Sequence, residues 1–101
     1  MLTIESINKI DFEKESELLK ALSNPLRLKM VGLLMNDECC VTDITNSLGI
    51  SQSTSSQHLK ILKSLGIIYP KKYGNKTCYI VVNQEIVQII SILINKYNIS
   101  I

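Results

Sequence analysis

The sequence predicts a mainly α-helical domain with one small β-hairpin, and three observations carry that expectation. Apolar residues recur at helical spacing in five separate stretches. Two β-rich runs, "IIYPKK" and "TCYIVV", flank the turn "YGN" between the fourth and fifth of them. A tight "GIS" break joins the third stretch to the fourth. At 101 residues the chain is one domain with room for a modest core. Its 46% hydrophobic and 20% charged residues, with four Gly and two Pro, are those of an ordinary globular protein.

In chain order, "FEKESELLKALS" sets Phe12, Leu18, Leu19 and Leu22 against an acidic outer face. "NPLRLKMVGLLMND" restarts with Asn24 as N-cap and Pro25 at the first helical position, followed by a stripe of Leu26, Met30, Leu33 and Leu34. "VTDITNSLG" is a third, short helix closed by Gly49. The fourth starts after Ser51 and runs through "QSTSSQHLKILKSL" to Gly66. Gly74-Asn75 then forms the hairpin tip, where positive φ is needed. The last helix, "QEIVQIISILINKY", is apolar on nearly every side, with more apolar residues from Ile86 to Ile94 than one face can hide. Two short helices around a tight turn, followed by a basic hairpin, predict a winged helix-turn-helix spanning residues 1–101. The helix-turn-helix falls at about 41–65 and the wing at about 67–82.

Charge is segregated along this frame. Residues 1–43 hold eight acids against five bases, while residues 44–101 hold six lysines against Glu85 alone. From Ser51 to Lys76 there are five lysines and no acid, the electrostatic footprint of a nucleic-acid face. No apolar run is long enough to span a membrane, and the polar, acidic amino terminus lacks the features of a signal peptide. An odd number of cysteines, three, fits a cytoplasmic protein with free resting thiols.

The fourth helix divides into two faces at about 3.6 residues per turn. Thr54, Ser55, Ile61, Leu62 and Leu65 fall on the inner side with Leu59 at its edge, and His58 falls there as a structural residue. Gln52, Ser53, Ser56, Gln57, Lys60, Lys63 and Ser64 make an outer face of amides, hydroxyls and ammoniums. Those groups hydrogen-bond base edges and phosphates. Beside the hairpin lysines Lys71, Lys72 and Lys76, they predict a site for double-stranded DNA. A winged helix turned into a protein-interaction module would instead show acidic or apolar residues on that face, and none is present.

Taken together, "ELLKALSNPLRLKMVGLL", "GISQSTSSQHLKILKSLGII" and "KKYGNKTCYIV" resemble the ArsR/SmtB family of small bacterial winged-helix repressors over roughly residues 15–94. The resemblance implies a homodimer that binds an inverted-repeat operator and leaves it on meeting an inducer. It also implies that the terminal helices, about 12–22 and 84–97, build the dimer interface, which agrees with the all-round apolar last helix. No catalytic arrangement and no cofactor motif is found, so an enzyme is not expected.

Which inducer acts turns on the stretch "ECCVTD". The resemblance implies a Cys-x-Cys ligand pair here, but only Cys40 matches, Thr42 replaces the second ligand, and the last helix has no His. Arsenite or another soft thiophile held by Cys39 and Cys40, with Cys78 as a third ligand, is the alternative to redox sensing. Cys40 takes the place of a helix cap, three residues before Asp43, where unsatisfied amides favour thiolate. Cys39 could resolve an oxidised Cys40 by closing a vicinal disulfide, strained because neighbouring Cα atoms lie only about 3.8 Å apart. Oxidation of the pair is then expected to release DNA, with Cys78 a buried strand residue that the segment before the third helix can approach.

Overall fold

The computed structural model describes residues 1–35 and 37–99. The helices are α1 (Ile4–Ile7), α2 (Phe12–Leu22), α3 (Pro25–Leu34), α4 (Val41–Leu48), α5 (Gln52–Ser64) and α6 (Gln84–Lys96). The strands are β1 (Cys39–Cys40), β2 (Ile68–Tyr73) and β3 (Lys76–Val81). They form one antiparallel sheet in the order β1-β3-β2, with β3 central and Pro70 lying in the edge strand β2. This is the winged helix-turn-helix expected from the sequence, with α4 and α5 as the helix pair and β2–β3 as the wing.

Side-chain caps set the helix starts. Asp11, Asn24, Ser51 and Asn83 each accept a backbone N–H of the first turn, at 2.9–3.1 Å. Such a cap contributes about 1 kcal/mol over alanine. Gly49 stops α4 in the left-handed region at φ 63°, a conformation that a side chain would strain. Gly74 takes φ 62° at the wing tip. These two turns fix where α5 and the wing point.

The core lies between the end of α2, α3, α4, α5, the base of the wing and the first half of α6. Met30, Val31, Ile44, Leu62, Ile67 and Ile86 are fully buried, each contributing about 1.5–3 kcal/mol relative to an exposed position. Several apolar stripes are placed differently from the sequence expectation. Val31 takes the core place expected of Leu33, which is exposed; Phe12, Leu19 and Ile61 are also exposed. Ile90 belongs to the protomer's own core, whereas Ile92 and Leu93 of the same helix, and Tyr97 and Ile99 beyond it, are exposed. A cleft of about 220 Å³ between α3 and the end of α6 is lined almost wholly by apolar side chains, among them Leu28, Leu93 and Tyr97.

Two elements add to the sequence reading. The single turn α1 buries none of its residues, so no periodicity marks it. β1 is only two residues long and exists because Cys39 and Cys40 pair with Tyr79 and Cys78 of β3. Among the described residues, no helix is long and apolar enough to cross a membrane.

Candidate nucleic-acid interface and thiol cluster

Ser51 starts α5 by accepting the Thr54 N–H at 3.1 Å and donating its own hydroxyl to Thr54 Oγ1 at 2.8 Å. Leu59 and Leu62 anchor the helix inward together with Ser55. That roll leaves Gln52, Ser53, Ser56, Gln57, Lys60 and Lys63 exposed on the opposite face. Ile61 is displaced from the inner set because it turns toward a small cleft shared with Ala21, Arg27 and Leu65. His58 is half-buried on the inner side, hydrogen-bonded to Arg27, which agrees with its structural assignment.

The wing sorts its lysines by strand register. Lys72 stands opposite Thr77, and Lys76 opposite Tyr73 beside the Gly74 turn. Lys71 stands opposite Cys78, on the other face of the sheet from Lys72. There its ammonium lies 4.0 Å from Glu38, and the Tyr73 hydroxyl donates to the same carboxylate at 3.1 Å. The hydrogen bond to Glu38 is the main cause that raises the Tyr73 phenol above its usual range. All three lysines are exposed, but Lys71 is engaged with an acid, and Lys76 lies beside the starts of α4 and α5.

A crevice of about 310 Å³ joins the start of α4, the start of α5 and the wing tip. Gln52, Ser56 and Lys76 line it, as do Thr42, Asn75, Thr77 and Tyr79. Thr42, Asn75 and Thr77 are not assigned to the DNA site by the sequence; only the pairing of β1 with β3 brings their hydroxyls and amide beside it. The crevice also exposes Cys40. Thiol chemistry and the polar face therefore share a wall.

The cysteines pair otherwise than expected. Cys40 is disulfide-bonded to Cys78, and Cys39 is the free thiol. Strand geometry gives the reason: successive side chains point to opposite faces, so Cys39 and Cys40 diverge, while Cys40 and Cys78 are directly opposed in the ladder. Cys39 instead packs against the edge of the core. Cys40 does occupy the N-cap of α4, but its sulfur makes no capping hydrogen bond. The three-cysteine soft-metal set is not assembled either: among the described residues no cluster of three metal-ligating side chains occurs.

Burial, then the carboxylates of Asp43 and Asp37, raises the Cys39 thiol above its ordinary value. A raised pKa keeps the thiol protonated, so alkylation of Cys39 is expected to set in at higher pH than in an unstructured cysteine peptide. Asp43→Asn should move that onset to lower pH. A mass-resolved iodoacetamide titration measures both, and an onset at or below the peptide's contradicts the assignment.

Comparison with known proteins places these features in context. The model of the family described as bacterial regulatory protein, arsR family, matches residues 24–69. An HTH-type transcriptional regulator of Methanocaldococcus jannaschii is 37% identical over 83 residues, 81% of this chain and 93% of that protein. The cadmium resistance transcriptional regulatory protein CadC of Listeria innocua is 37% identical over 84% of this chain and 72% of its own length. Among solved structures, reduced HlyU from Vibrio cholerae superposes with a TM-score of 0.85 at 30% identity, covering 93% of this chain and 98% of that one.

Proposed function

Because the chain belongs to the arsR family of bacterial regulatory proteins, we propose that it is a repressor that binds an inverted-repeat operator as a homodimer and lets go when Cys40 and Cys78 are oxidised. The observation that carries this reading is the crevice in which Cys40 shares a wall with Gln52, Ser56 and Lys76.

In this reading the outer face of α5 enters the major groove. Gln57 offers an amide that can pair bidentately with adenine, and Ser53 and Ser56 serve a base edge or a phosphate. Lys60, Lys63, Lys72 and Lys76 neutralise phosphates on either side. The absence of acids and large apolar groups from the outer face favours DNA over a protein partner. The dimer is built by α2 and α6, whose Leu19, Ile92 and Leu93 are exposed in the protomer.

Oxidation is a two-electron step. The half-exposed Cys40, at the helix start, attacks a hydroperoxide as thiolate, giving a sulfenic acid and an alcohol or water. The buried Cys78 thiol then displaces hydroxide from that sulfur as water, closing the disulfide. The bond fastens the entrance of the helix-turn-helix to the central wing strand. Helix pair and wing then lose the independent adjustment that fitting both to one duplex requires. A dithiol reductant reverses the step.

The experiment is a DNA-binding titration on duplexes selected from a random pool. Gln57→Ala is expected to relax preference at one base position of each half-site, by about 1–3 kcal/mol. Lys72→Ala and Lys76→Ala should weaken all DNA alike and lower the salt slope by about one unit each. A Gln57→Ala protein that discriminates as the parent does would remove α5 from the groove.

A further inference from the structure

Arg27 lies in the first turn of α3, far in sequence from the recognition helix, yet it touches that helix. Its backbone N–H is held by Asn24 Oδ1 at 3.1 Å, which fixes the corner between α2 and α3. Its side chain reaches both ways from that corner. Nε–H donates to the Ala21 carbonyl at 2.8 Å, and the Nη1 group contacts His58 Nδ1 at 3.2 Å. Ala21 O is one of the last carbonyls of α2, which a helix end leaves without an intrahelical partner.

A guanidinium has only donors, so Nδ1 must be the acceptor and the imidazole carries its proton on Nε2. His58 is thus a fixed acceptor on the inner side of α5, between Gln57, which is exposed, and Leu59, which is 1% exposed. The apolar anchors Leu59 and Leu62 hold the depth of the helix but are non-directional. The Arg27–His58 hydrogen bond is directional and acts beside the residues that face outward.

We infer that Arg27 and His58 are positioning residues for DNA recognition: through them the carboxyl end of α2 sets the roll of α5, and so which edges Ser56 and Gln57 present. This rests on the operator reading above and extends it to two residues that touch no DNA. It also gives α2, a helix of the proposed dimer interface, a mechanical link to the recognition helix within one protomer.

The test compares the parent with Arg27→Met, His58→Leu, the double variant and His58→Asn. Affinity is measured for the selected operator and for a scrambled duplex, alongside the thermal midpoint and dimer state. Arg27→Met and His58→Leu are each expected to lower the operator-to-scrambled ratio by about tenfold, with scrambled-DNA affinity and oligomeric state unchanged. The double variant should lose no more than either single one, because both remove the same bond. His58→Asn, whose Oδ1 can accept from Arg27, should recover most of the ratio. Additive losses, an Asn variant as poor as the Leu variant, or equal losses on both duplexes would each overturn the inference. A parent that prefers no duplex refutes the operator reading itself, and the positioning role with it.

Discussion

Ile92→Lys is expected to leave the protomer folded and to abolish operator binding. Its side chain is 69% exposed, so the protomer loses little when it is replaced. In the proposed dimer the same position lies against the partner, where an unpaired ammonium without water is strongly unfavourable. Loss of the second half-site reduces binding to the non-specific level, on the order of 10³-fold or more below the parent. Sedimentation velocity reads the dimer, and anisotropy with an operator duplex reads the affinity. A dimeric Ile92→Lys protein with parental affinity would move the interface elsewhere. Ile90→Lys is no substitute, because Ile90 is 4% exposed within its own protomer and the change would unfold the core.

Peroxide is expected to lower the parent's operator affinity by about 5–150-fold, the usual range for a coupled pair of sites. Cys40→Ser and Cys78→Ser should keep their affinity under the same treatment, and Cys39→Ser should respond as the parent does. The same bond closes a loop of sequence separation 38, which chain entropy values at about 3–4 kcal/mol. For a domain this small, that lifts the melting temperature by more than about 10 °C. Oxidation should thus raise the melting temperature while weakening DNA binding, a combination that damage by peroxide cannot give. If Cys78→Ser still releases DNA on oxidation, the switch lies at another group.

The sequence makes the helices and the wing legible because their signals are local. Asn24-Pro25, Gly49-Ile50-Ser51 and Gly74-Asn75 mark starts, stops and turns within a few residues. The α5 faces follow from periodicity alone, and Ser53, Ser56, Gln57 and Lys60 are exposed together. What was not legible depends on neighbours distant in sequence. Cys39 and Cys40 look like a pair on paper, and only the pairing of β1 with β3 turns one to Cys78 and the other to the core. Lys71 and Lys72 look equivalent until Glu38 is found beside one of them. Ile61 and Ile90 show the limit of apolar periodicity: Ile61, expected inside, lies outward, and Ile90, on the last helix expected in the dimer interface, is covered by its own protomer.

The arrangement of the small sheet also bears on how the protein behaves at high concentration. A sheet with a free edge offers unpaired amides and carbonyls to any passing strand, which is a route to fibrous aggregates. Here one edge, β1, is only two residues long. The other, β2, contains Pro70, which has no N–H to donate, followed directly by Lys71 and Lys72. Neither edge can template a continued ladder. The wing can therefore stand away from the domain, as reaching along a duplex requires, without becoming a seed for its own polymerisation.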